Sequence, residues 1–139
     1  LLMADLVTKT AAPYALLHDA HEIFSNDLSS PFKNAMAAII PDGDKAYRML
    51  CATFDAAIFE AAELIYPIPS MIADEIKESD QLLCSAEEQA IMPGAEPEFD
   101  AGDLYKKIVW QSEEDVIHAW GNACQRLLPR FNAFEGAAE

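Results

Sequence analysis

Two residues with the chemistry of metal ligands, His18 and Asp19, stand side by side in the run Leu16-Leu17-His18-Asp19-Ala20-His21-Glu22. The apolar spacing around them predicts a helix with the pair at its middle, inside a stretch that otherwise reads as core. An imidazole and a carboxylate in that setting both need partners, and a divalent metal ion satisfies the two at once. Glu22 follows His18 by four positions, so a helix puts it on the same face, where a carboxylate can serve as general acid or base. Asp80 is the second carboxylate in apolar surroundings. The stripe Ile72, Ile76, Asp80, Leu83, Ala90 places it on the face of a later helix that should be buried, where it needs a metal or an ion pair. Lys77, on the same helix, is the alternative partner.

The elements that must position these side chains read as helices throughout. A first helix is expected over 1–9. Pro13 suits the first turn of a second, which carries the His-Asp run to residue 24. A turn-rich loop follows over 25–31, then a short helix over 32–40, and Asp44 is expected to cap the next helix. That helix has the clearest periodicity, with Tyr47, Leu50, Cys51, Phe54, Ile58, Ala61 and Ile65 at three- and four-residue steps. Tyr66-Pro67-Ile68-Pro69 breaks it, and Ser70 is expected to cap a helix running to Met92. An acidic, exposed loop begins at Pro93. Ser112, with Asp115 three positions on, resembles a capping box ahead of a last helix whose stripe is Val116, Trp120, Ala123, Cys124, Leu127 and Phe131. No segment reads as a strand or a repeat.

Composition bounds the function classes. A chain of 139 residues, 52% hydrophobic, is long enough for one domain with a proper core. Its net charge of -15 argues against binding nucleic-acid polymers through their phosphates and against an anionic membrane surface. A small phosphorylated substrate remains compatible, because a bound metal reverses the local sign. No apolar run is long enough to span a bilayer. Cys51, Cys84 and Cys124 lie far apart beside apolar neighbours and read as reduced core thiols of a cytoplasmic protein. The opening Leu1-Leu2-Met3 reads as a helix already under way, so natural sequence is expected upstream.

His18, Asp19 and Asp80 together match the ligand set of the HD-domain metal-dependent phosphohydrolases, and the chain resembles that superfamily. Residues 16–33, LLHDAHEIFSNDLSSPFK, are similar to its bacterial and phage 5′-deoxynucleotidase-like branch, which has a His-Asp-x-x-Glu sequence followed by a Gly-Asp-(Leu/Ile)-Pro-x-Pro-x-Lys loop. The segment Ile76-Lys77-Glu78-Ser79-Asp80 resembles the later Lys-x-x-Asp segment of the branch. The resemblance implies a compact bundle of about five to seven helices, a single HD domain over 1–139, with the site at its centre. It implies His18, Asp19 and Asp80 as ligands of Mn, Co, Fe, Ni or Mg, with Glu22 handling the proton of the attacking water or leaving group. It implies that Asp27 touches the substrate sugar or fixes the loop, and that Lys33 meets a phosphate oxygen. The reaction implied is hydrolysis of a nucleotide phosphate monoester such as a deoxyribonucleoside 5′-monophosphate, and members of the branch are often homodimers.

Three departures from the branch stand out. Its first histidine ligand comes from a preceding helix, and no histidine lies between Leu1 and Leu17, so that ligand is expected upstream of Leu1. Asn26 replaces a glycine, and Ser29 replaces the loop's first proline. His21 and His118 are read as surface or hydrogen-bonded residues, Trp110 and Trp120 as packing residues. Glu60, Glu63, Asp74 and Glu75 read as solvated helix faces. The competing readings are another HD phosphohydrolase, such as a guanosine polyphosphate pyrophosphohydrolase, and a degenerate HD domain kept as an acidic interaction module. Ile23 occupies the place where the pyrophosphohydrolases carry an acidic residue after the glutamate.

Overall fold

The computed structural model describes residues 1–26, 28–92, 94 and 96–132. Among these the protein is helical without a strand. Its helices are α1 (Leu2–Leu6), α2 (Ala12–Leu17), α3 (Glu22–Ser25), α4 (Ser30–Ile39), α5 (Gly43–Ala61), α6 (Ser70–Ile91), α7 (Glu113–Leu127) and α8 (Pro129–Asn132), with a 3₁₀ helix over Gly102–Lys107. The chain forms two compact units. One contains Leu1–Leu16 and the chain from Ile68 onward, and the other is Leu17–Pro67. None of these helices is long and apolar enough to cross a membrane.

The first unit is organised on α6, which packs against α1 and the 3₁₀ helix. Ile76, Ser79, Leu83 and Ala86 are its buried face, a regular three- and four-residue row. Asp80 sits at the edge of that row, half-buried rather than at its centre as the stripe predicts. The first helix is shorter than expected because Thr8 leaves it to bond another element. Its hydroxyl donates to Glu75 Oε2 at 2.9 Å, and its backbone N–H donates to Oε1 of the same carboxylate. Glu75 is therefore a tether and not a solvated face. Ser70 is the first residue of α6 and makes no cap; Pro69 holds the cap position, and its carbonyl accepts from Ile72 and Ala73.

The capping box of α7 is present as read. Ser112 Oγ accepts from the Asp115 backbone N–H at 3.1 Å, and its hydroxyl donates to Asp115 Oδ2 at 2.6 Å. Of the α7 stripe only Ala123 and Cys124 are buried; Val116 and Trp120 are exposed. Trp110 is 89% exposed, which corrects its reading as a packing residue: it lies in the connection before α7 and not on a helix face. Cys51 and Cys124 are buried free thiols as expected, whereas Cys84 is exposed.

In the second unit α5 is the main beam, packed by α4 and α3. It starts at Gly43, with Asp42 at the cap in a left-handed conformation, so Asp44 lies inside the first turn and pairs with Arg48 instead of capping. Gly43 lets the start of α5 lie close against α4: a Cβ there would sit 2.8 Å from the Met36 carbonyl oxygen. The helix ends four residues earlier than its apolar pattern. The N–H of Leu64 bonds the carbonyl of Phe59 at 2.8 Å and that of Glu63 bonds Glu60 at 3.0 Å, a Schellman motif with Glu63 left-handed at φ 61°. Phe59, 1% exposed, is the anchor of this unit and stacks on Tyr66 with ring centres 5.8 Å apart.

Candidate functional site

The helix expected to carry His18 stops at Leu17, and residues 18–21 form turns before α3 begins at Glu22. Backbone bonds tighten there to three-residue steps, from Ala20 to Leu17 at 3.0 Å and from Glu22 to Asp19 at 2.9 Å. This corrects the mid-helix placement of the pair and the shared helical face of His18 and Glu22. The physical reason is visible in the side chains. Neighbouring residues on a helix point about 100° apart and do not meet, yet His18 Nε2 lies 2.7 Å from Asp19 Oδ2. Only a turn brings the two together. Their side chains are 25% and 53% exposed, so the pair lies at a surface and not in the core.

The Asp19 carboxyl is held below its ordinary value, first by the hydrogen bond from His18, then against the cost of partial burial by the charges of His18, His21 and Lys33. Asp19 is therefore an ionised, donor-rich oxygen centre. A second imidazole–carboxylate pair stands nearby. His21 Nδ1 donates to Asp55 Oδ1 at 3.0 Å, in a setting where both side chains are four-fifths buried. His21 is thus a hydrogen-bonded residue, as read. Burial pushes Asp55 up; His21 opposes this, and the charge of Asp19 adds to it, so the two carboxylates feel each other.

Lys33 projects from α4 with its ammonium 5.8 Å from the ring centre of Tyr47 on α5. Tyr47 donates to the Asn26 carbonyl at 3.4 Å. Its phenol is raised above its ordinary value, first through a hydrogen bond with Cys51, then by burial and by the charges of Cys51 and Glu22, while Ser25 pulls the other way. Glu22 therefore sits within electrostatic reach of the same cluster. Asn26 has φ 57° and ψ 157°, backbone space that belongs almost wholly to glycine, which matches the glycine that the resemblance asks for at this place.

Within the second unit, then, His18 and Asp19 are in direct contact, Glu22 opens α3 one turn on, and Lys33 lies over Tyr47. Asp27 lies outside the described residues. Asp80 belongs to α6 of the other unit. Asp55 and Tyr47 were not singled out from the sequence as site residues, although a signal exists: Tyr47, Cys51, Asp55 and Phe59 form a four-residue row on α5, and an acid on such a row between a buried Cys and a buried Phe faces inward.

Two donors on one metal at about 2.1 Å each stand ~3 Å apart when adjacent in its coordination shell. The 2.7 Å between His18 and Asp19 is the length of their N–H···O hydrogen bond, so Nε2 would have to give up that proton before the two could share an ion; imidazole with carboxylate is a donor set suited to the ions named above. Among the described residues no group of three or more His, Cys, Asp or Glu is arranged to hold a metal ion. No family model, curated protein or solved structure matches the chain.

Proposed function

We propose that the protein is a metal-dependent phosphohydrolase of the HD type, acting on a nucleotide phosphate monoester. The observation that carries this reading is the adjacent His18–Asp19 pair, an imidazole and an ionised, half-exposed carboxylate in direct contact on one turn, both of which become metal donors once the Nε2 proton is lost. The sequence resemblance adds Asp80 as a further ligand. A divalent ion held there supplies a positive charge against the phosphoryl oxygens and acidifies water. The chain's own residues do the rest. Lys33 neutralises a phosphate oxygen, and its charge already favours the anionic form of Asp19. Glu22 takes the proton of the incoming water or returns one to the leaving alkoxide.

The test is phosphate release from a panel of ribo- and deoxyribonucleoside 5′-monophosphates by the intact protein, with and without Mn²⁺ or Co²⁺. Asp19→Asn and Asp80→Ala are run beside it. Metal-dependent release that both variants reduce by about 100-fold or more supports the reading and the ligand set. Release unaffected by Asp80→Ala removes Asp80 from the set. No release and no retained metal overturns the phosphohydrolase and favours an interaction module.

A further inference from the structure

We propose that the groove between α4 and α5, walled by Lys33, Met36, Tyr47 and Arg48, is the seat of the substrate's nucleobase. This rests on the nucleotide reading above and names the part of the molecule that gives it substrate preference. The groove has a volume of about 220 Å³. Pockets that enclose drug-sized ligands start near ~300 Å³, so this one holds a single ring system and not a whole nucleotide. Lys33 and Met36 come from α4 three positions apart, and Tyr47 and Arg48 are neighbours on α5, so both walls are built on helices.

The chemistry of the walls suits a planar heterocycle. Tyr47 and Met36 are half-buried and offer polarisable, apolar surface. Arg48 supplies in-plane donors for ring carbonyls or nitrogens, and Asp44 pairs with its guanidinium and holds it at the rim. Position decides which end of the substrate enters. Lys33 borders the groove and lies over Tyr47. A phosphate held by Lys33 therefore leaves the base to the Tyr47 side. Asp44, which also lines the groove, already pairs with Arg48, so in this acidic chain of 9 basic and 24 acidic residues Lys33 is the cation that meets a ligand's anion there.

The test separates this from hydrolysis by measuring binding without metal. The intact protein, labelled at its methionine methyls, is titrated with 2′-deoxyadenosine 5′-monophosphate, thymidine 5′-monophosphate and the base-free 2-deoxyribose 5-phosphate. The expected result is a saturable shift of the Met36 methyl with at least one nucleotide, none with the sugar phosphate, and still signals from the exposed Met71 and Met92. Tyr47→Leu should weaken that nucleotide about tenfold and leave the sugar phosphate unchanged. Nucleotide binding that leaves Met36 unmoved, an equal loss of both ligands in the variant, or no nucleotide binding at all overturns the proposal. A Met36 shift without any hydrolysis leaves the groove standing and removes the phosphohydrolase; hydrolysis without a Met36 shift does the reverse. The methyl readout on the unaltered protein decides the matter even if Tyr47→Leu does not fold.

Discussion

His21 and Asp55, 34 positions apart, meet at 3.0 Å between Nδ1 and Oδ1 with both side chains largely out of water. The contact ties the turn that bears His18 and Asp19 to the longest helix of its unit. Burial outweighs the pull of His21, so Asp55 titrates above its ordinary 3.8 in the folded protein. In the window that opens near 3.8 the unfolded chain therefore loses this proton first, and the folded state binds more protons. Stability contributed by Asp55 is present below that window and declines as pH rises through the folded value. Asp55→Asn lacks this decline. Thermal unfolding of both proteins from about pH 3 to about pH 6 should show the wild type losing ground to the variant as pH increases. Parallel curves would place Asp55 in water.

Glu63 occupies the left-handed position of the Schellman motif that ends α5, a place most helices give to glycine. An L side chain there costs about 1–2 kcal/mol, partly returned by the lower freedom of the unfolded chain. Glu63→Gly should stabilise the protein by roughly 0.5–1 kcal/mol in urea unfolding, with Glu63→Ala no better than the wild type. A destabilised glycine variant would mean that the Glu63 side chain makes a contact worth more than the strain.

Phe59 is the largest side chain buried in its unit and has Tyr66 stacked on it at an interplanar angle of 12°. Phe59→Ala should cost about 3–5 kcal/mol, and Phe59→Leu much less, because leucine refills most of the volume. Chemical denaturation measures both. A loss under ~1 kcal/mol for the alanine variant would show that the surrounding residues collapse into the space.

The Ser112 cap gives a local test. Ser112→Ala removes the acceptor for the Asp115 N–H and should cost about 1 kcal/mol, while Ser112→Asp should retain most of the stability. Amide exchange at the first turn of α7 would rise in the alanine variant alone.

What the residues alone decided is what depends on near neighbours. The three-and-four spacing in α5, α6 and α7 encodes an apolar stripe whatever packs on it, so these helices are legible with ends displaced by a few residues. The box of Ser112 with Asp115 spans three positions and forms without outside help. Tertiary structure decided the rest. The periodicity through residue 24 calls for one helix, but the contact of His18 with Asp19 and that of His21 with Asp55 both require the chain to turn at 18–21. Glu75 looks like a solvated acid until Thr8 arrives from 67 positions away. The identity of a chemical residue is a property of the sequence, but its partner is chosen by packing that brings distant segments together, and no spacing along a single helix specifies that choice.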